Sequence, residues 1–196
     1  MTKSVKSLVL TTISTFLFSI ADAQLRLPAI NGVGNDVKKV IEDYPNRFIN
    51  LMGELKTENL QSTDYFCNFN VNGAEEALVT RYSSKKEICS WQALMLATEN
   101  FEKAKQKFKS LFNQLNNLQV NIGTTTNIRL KGIYEAPEES KKFASVSFSI
   151  EPGNMALKKL KVEISLQYKA PMEWKVIVLV YDKDREDDER GATKED

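Results

Sequence analysis

Alternation of apolar and polar residues through the second half of the chain constrains the fold most strongly. Residues 146–150 and 160–166 alternate strictly, which is typical of strands with one buried face. The segment 174–181 is apolar at nearly every position, which predicts a central, well-covered strand. A further strand is predicted within 124–134, so this half is predicted to contain four strands.

Three more strands are predicted in the first half. Residues 65–71 alternate between apolar and mostly polar side chains. In 74–82, Ala77 and Val79 lie on one face and Leu78, Thr80 and Tyr82 on the other, and Asn72-Gly73 lies between the two segments. Asn-Gly is a strong signal for a two-residue hairpin turn, because both turn positions need a left-handed backbone. The third strand is predicted over 87–97.

Two amphipathic helices are predicted as well. The first begins near Asn35 or Asp36 and carries an apolar stripe to Leu55, with Pro45 either kinking it or separating two short helices. The second covers about 100–118 and is the clearest element in the sequence. Its lysines lie mostly off the apolar stripe, either solvated or against an anionic surface; they are Lys103, Lys105, Lys107 and Lys109.

These elements predict one α+β domain over residues 35–181. Two amphipathic helices are expected to pack on one face of a largely antiparallel sheet of six or seven strands. FINLMGEL at 48–55 resembles FKSLFNQL at 108–115, which is consistent with two helix-plus-strands halves. The alternative is that any two amphipathic helices would share this pattern.

The N-terminus has the three parts of a secretory signal peptide. Lys3 and Lys6 form a basic region, residues 8–20 are uncharged and mostly apolar, and Ala21-Asp22-Ala23 has the small-x-small form of a cleavage site. Residues 1–23 are therefore predicted to be removed, leaving a periplasmic or secreted protein with no integral membrane segment.

Two flanking segments are predicted to lie outside the domain. Residues 24–34 contain Pro and Gly and have no hydrophobic periodicity of a helix or strand, so they are predicted to form a linker or N-terminal arm. Residues 182–196 are highly charged and poor in apolar side chains, so they are predicted to form a disordered tail.

The chain has two cysteines, Cys67 and Cys89. Export permits a disulfide, and only one intramolecular pairing exists, so we predict a structural bridge between them. In a plain meander Cys67 would pair with Leu78 and Cys89 with Thr80, roughly 10 Å or more apart. Because a bridge needs Cα atoms within about 7 Å, it requires Cys89 to lie in a turn or irregular strand end beside Cys67. The alternative is two separate core residues.

The complete absence of histidine limits the chemistry available to the chain. It excludes Ser-His-Asp and Cys-His nucleophile systems and His-ligated zinc. Two cysteines cannot build a four-cysteine metal site, and no phosphate loop or dinucleotide fingerprint occurs. No catalytic residue, cofactor or metal site is therefore predicted. The 27 basic and 26 acidic residues give little support to nucleic-acid binding.

Five aromatic residues are candidates for an apolar pocket, with core packing as the alternative use. They are Tyr65, Tyr82, Trp91, Tyr134 and Trp174. The sequence thus favours an exported, non-catalytic binding or interaction module, of inhibitor or immunity type, whose partner is a protein or a small apolar ligand. The alternative is a carboxylate-based hydrolase acting on cell-envelope polymers, which would need two carboxylates facing each other across a pocket.

Overall fold

The computed structural model describes residues 32–83, 88–123 and 126–184. The predicted signal peptide, most of the predicted N-terminal arm and the tail beyond residue 184 lie outside the described residues. In chain order the helices and strands are α1 (Val33–Asp43), β1 (Met52–Glu58), β2 (Ser62–Cys67), β3 (Glu76–Tyr82), β4 (Ile88–Thr98), α2 (Phe101–Leu115), β5 (Gln119–Ile122), β6 (Thr126–Lys131), β7 (Phe143–Glu151), β8 (Leu160–Lys169) and β9 (Glu173–Asp182). None of the described helices is both long and apolar enough to cross a membrane.

All nine strands belong to one antiparallel sheet, in the order β1-β2-β3-β4-β9-β8-β7-β6-β5. The strands of the first half run inward from one edge and those of the second half from the other edge. The two runs meet where β4 pairs with β9. The apolar segment 174–181 therefore lies at the centre of the sheet, which confirms that prediction.

The predicted six- or seven-stranded sheet with two helices packed on one face is wrong. The sheet has nine strands, because β1 was assigned to the first helix and the four-residue β5 was not recognised. The helices also differ in what they cover. α2 lies against the central strands β4, β8 and β9, whereas α1 contacts chiefly the edge strand β5 and α2.

The first helix stops twelve residues before the predicted end, because the backbone turns sharply after Asp43. Pro45 lies in a 3₁₀ turn, and Arg47 and Phe48 both have φ of 57°, in the left-handed region that interrupts a helix. The Asp43 carboxylate holds this turn by accepting hydrogen bonds from three donors: the backbone N–H of Asn50, the Asn50 side chain and the Asn46 side chain. The proposed repeat between 48–55 and 108–115 is therefore wrong, since only the second segment is α-helical, whereas the first has one 3₁₀ turn followed by β1.

The Asn72-Gly73 turn forms, but it does not join two strands directly. The Ala74 N–H donates to the Val71 carbonyl and Gly73 has φ of 70°, while Asn72 is not left-handed. β2 ends at Cys67 and β3 begins at Glu76, so the turn lies in an eight-residue loop. Both helices hold this loop, because Asp36 accepts from the Asn72 N–H at 2.8 Å and the Lys107 ammonium donates to the Gly73 carbonyl at 3.2 Å.

The main hydrophobic cluster lies on one side of the central strands, which we call the inner face. Each of the strands β3, β4, β8 and β9 contributes a completely buried side chain to this face; these are Val79, Trp91, Ile164 and Val178. The buried side chains of both helices belong to the same cluster. The alternate residues of these strands point to the opposite side, which we call the outer face.

Candidate binding surface on the outer face of the sheet

The predicted bridge between Cys67 and Cys89 is not formed, so that prediction is wrong for this structure. Cys67 ends β2 and Cys89 lies in β4, with β3 between them. Phe66 pairs with Leu78 and Cys89 pairs with Arg81, so the cysteines are also four residues apart along β3. Two strand spacings and four residues of rise separate them by roughly 16 Å, far beyond disulfide reach.

The five candidate aromatic residues do not line a common pocket. Trp174 packs between Phe101 and Tyr168, with ring centroids 4.9 and 5.2 Å away. Tyr134 packs instead on Phe112, at 5.1 Å.

The other three are spread over both faces of the sheet. Trp91 is fully buried on the inner face, and its indole N–H has no hydrogen-bond partner among the described residues. Tyr65 lies on the inner face beside Arg81, whereas Tyr82 lies on the outer face with its hydroxyl 3.2 Å from that of Ser90. The aromatic residues therefore serve separate contacts.

The cavities on the described part of the chain give no support to carboxylate catalysis. One, of about 220 Å³, lies between the end of α1 and the start of β4 and has Asp182 as its single carboxylate. Three others, of about 300, 490 and 1000 Å³, contain at most one carboxylate each. Among the described residues no group of three or more potential metal ligands occurs.

Burial dominates the electrostatics at the 220 Å³ cavity. The Tyr44 hydroxyl donates to Asp182 Oδ2 at 2.8 Å, which ties the end of the first helix to the end of the last strand. Desolvation, followed by the hydrogen bond and the charge of Asp182, raises the pKa of Tyr44 well above its ordinary value. Tyr44 is therefore a protonated donor with a structural role.

The outer face carries an aliphatic group at its centre. Leu94 pairs with Ile177 across the β4–β9 ladder, and Gln92 lies between Leu78 and Leu179 in the next cross-strand row. We call these five residues the outer patch. The Gln92 side-chain amide makes no hydrogen bond to another described residue, so a polar donor and acceptor stands in the middle of aliphatic side chains.

The outer patch is separate from the core. Its four aliphatic members do not belong to the core cluster that the two helices share. Leu94, Ile177 and Leu179 are partly exposed, whereas Leu78 is only 6% exposed. An antiparallel strand with one solvated face normally alternates apolar and polar residues, but β9 places Ile177 and Leu179 outward and Val176, Val178 and Val180 inward. β9 thus has the composition of a strand covered on both faces.

Hydrogen bonds hold the polar side chains that border the outer patch. Thr80 donates to Asp64 at 2.7 Å, and the Tyr181 hydroxyl donates to Glu163 at 3.0 Å. Ser90, buried between these pairs, contacts the Tyr82 hydroxyl. Side chains fixed in this way lose little conformational entropy when a partner binds, so this border is preorganised.

Charged residues and two exposed aromatic rings form the margin of the outer face. Lys56 pairs with Glu76 and lies over the Phe66 ring, and Lys175 pairs with Glu173 at 3.1 Å. Phe66 and Phe143 are 41% and 54% exposed. An aliphatic centre within a polar and charged margin is the usual arrangement of a protein–protein interface.

The sequence analysis did not predict the outer patch, because it did not determine which apolar residues of the central strands face away from the helices. The signal was nevertheless present, since the nearly continuous apolar run 174–181 indicated a well-covered strand. Comparison of the chain with protein-family models, with curated proteins and with solved structures finds no match in any of the three.

Proposed function

We propose that this chain is an exported, non-catalytic interaction module that binds a partner protein through the outer face of its sheet. The observation that carries the proposal is the outer patch, in which the partly exposed Leu94, Ile177 and Leu179 are clustered on the central strands outside the core cluster. Clustered apolar surface of this kind on a soluble domain is characteristic of binding sites.

The shape of the surface favours a protein over a small molecule. Sites for small ligands are concave and largely enclosed, whereas the outer patch lies on a sheet face spanning several strands. A flat apolar centre with a hydrogen-bonded border suits a macromolecule with a complementary flat surface. Inhibitor or immunity proteins act by this kind of occlusion, so either role is compatible with the proposal.

The test is affinity capture from the secreted and cell-envelope fractions of the organism that encodes the chain. Ile177→Asp places a charge in the outer patch, and Leu60→Asp places the same charge at the fully exposed tip of the β1–β2 hairpin. We expect the unchanged protein and Leu60→Asp to capture the same partner chain, identified by mass spectrometry. Ile177→Asp should lose it.

Two results would count against the proposal. Capture that is equally strong with Ile177→Asp would remove the outer patch from the binding site. Turnover of a cell-envelope polymer by the purified protein would favour the hydrolase alternative instead.

A further inference from the structure

We propose that the cleft where strands β7 and β8 separate is a binding site for an amphiphilic anion, a carboxylate with an aliphatic tail. The cleft is lined by none of the residues of the outer patch. The proposal therefore goes beyond the partner-binding surface and assigns a second, small-molecule ligand to the chain.

The cleft forms because the β7–β8 ladder stops before either strand ends. The last pair of the ladder is Phe148 with Val162, although β7 continues to Glu151 and β8 begins at Leu160. Beyond that pair, β7 is paired with β6 instead. The connecting loop contains the 3₁₀ turn Met155–Leu157, and a cavity of about 490 Å³ lies between this loop and the strand ends. Small-molecule sites usually have volumes of roughly 300–1,000 Å³, so the cleft is large enough.

Apolar side chains form much of the cleft. Phe148, Leu157 and Leu160 line it and are almost fully buried in the core cluster, while Ile150 is partly exposed and Met155 is 87% exposed. Most of the apolar surface that a ligand could cover therefore belongs to Ile150 and Met155, which favours a tail of moderate length. Methionine suits this position, because its flexible, polarisable side chain adapts its packing to different contacts.

The polar side chains of the cleft offer hydrogen-bond donors. Lys158 and Lys161 line it, and neither ammonium group makes an ion pair with a described residue. The Asn154 side-chain oxygen accepts from a backbone N–H of the loop at 2.8 Å, whereas its NH₂ group donates to no described residue. The Ser149 hydroxyl already donates to a backbone carbonyl of β6 at 3.0 Å.

These polar groups select an anion. The described residues that line the cleft include two lysines and no carboxylate, so an anionic group would meet two positive charges without a repelling one. Carboxylate oxygens accept hydrogen bonds only, and the two ammonium groups and the Asn154 NH₂ group are the donors that they require. An aliphatic tail on the same molecule would lie against Ile150 and Met155.

The experiment is NMR spectroscopy of the purified protein with isotope-labelled methionine methyl groups, titrated with decanoate below the concentration at which it forms micelles. We expect a saturable shift of the Met155 methyl signal. Met172 is the internal control, because it is 64% exposed and lies between β8 and β9, at the opposite end of β8 from the cleft; its signal should not move. Acetate and decanol each carry one half of the ligand, so each should bind at least about 10-fold more weakly than decanoate.

The variant that combines Lys158→Gln with Lys161→Gln removes both positive charges. We expect it to raise the dissociation constant for decanoate about 10-fold, as the loss of two partly exposed charge-assisted hydrogen bonds should. Lys169→Gln is the matched control. Lys169 is exposed near the other end of β8 and makes no ion pair with a described residue, so the constant should not change.

Absence of a saturable Met155 shift would overturn the proposal. Equal shifts of Met155 and Met172 would overturn it too, since they indicate adsorption over the whole surface. An unchanged dissociation constant in the double variant, or decanol binding as tight as that of decanoate, would exclude recognition of an anion. Partner capture through Ile177 is measured separately, so either proposal can fail while the other stands.

Discussion

Leu94 and Ile177 lie directly opposite each other across the β4–β9 ladder, on the side of the sheet that faces away from the core. The pair joins the last strand of the first run to the last strand of the second, so it sits at the centre of the sheet. Neither side chain belongs to the core cluster, so this cross-strand aliphatic pair contributes little to the core.

The assignment of the two faces predicts unequal effects for neighbouring residues of β9. Val178→Asp should unfold the protein, because it buries a charge among completely buried core residues at a cost above about 4 kcal/mol. Ile177→Asp should lower the free energy of unfolding by only about 1–2 kcal/mol, since that side chain is partly exposed. Urea denaturation of both variants measures this difference. Equal destabilisation would show that the outer patch is part of the core.

Asp43 is expected to be essential for the turn that ends α1. Its carboxylate accepts from Asn46 and twice from Asn50, so Asp43→Ala leaves several donors without their acceptor. We expect a loss of about 1–3 kcal/mol in unfolding free energy. Glu42→Ala, one residue earlier on the exposed side of the helix, is the control and should have little effect. Equal stability of the two variants would contradict the role assigned to the carboxylate.

The contact between Tyr44 and Asp182 predicts a stability change in alkaline solution. Burial raises the pKa of Tyr44 above its ordinary value of 10.0, so the contribution of this residue is fully present below about pH 10. As the pH rises further, the unfolded chain ionises its tyrosine and the folded protein does not, which favours unfolding.

Comparison with Tyr44→Phe isolates this effect from other titrating groups. The free energy of unfolding of the unchanged protein should exceed that of Tyr44→Phe at about pH 8. This difference should become smaller by roughly 1 kcal/mol at about pH 11. Urea denaturation at the two pH values measures it. A difference that stays constant across this range would show that Tyr44 ionises as readily in the folded protein as in the unfolded chain.

The separation of the two cysteines predicts two titratable thiols in denatured, unreduced protein. In the native protein the partly exposed Cys67 should react with a thiol reagent faster than Cys89, which is 5% exposed. The variants Cys67→Ser and Cys89→Ser assign the two rates. Denatured, unreduced protein with no reactive thiol would show that Cys67 and Cys89 form a disulfide, which the strand order of this sheet does not allow.

Local patterns predicted the central part of the fold. The alternation in 146–150 and 160–166 and the apolar run 174–181 correspond to β7, β8 and β9, and the stripe of α2 is buried as expected. These segments have strong periodicity and lie in the interior, where the pattern reports burial directly.

The predictions were wrong where one residue pattern fitted two kinds of secondary structure, or where contacts from residues distant in the sequence determined the local conformation. Met52 and Leu55 fit a helical stripe by spacing, but they belong to a bulged edge strand whose residues are mostly exposed. Asn72-Gly73 was read as a hairpin, but Asp36 and Lys107 hold it in a longer loop. Which apolar residues of β9 face outward depends on the position of the helices, and periodicity within one strand cannot supply that.

The most direct measurement of the central claim is site-specific photo-crosslinking in cells that produce the protein. Phe66 lies opposite Leu78 at the margin of the outer face and is partly exposed, so a benzophenone-bearing phenylalanine fits there without disturbing the core. The same group at Leu60, on the hairpin tip, is the control. We predict light-dependent adducts to a protein chain from position 66 and none from position 60. Adducts from position 60 alone, or from neither position, would contradict the assignment of the outer face as the binding surface.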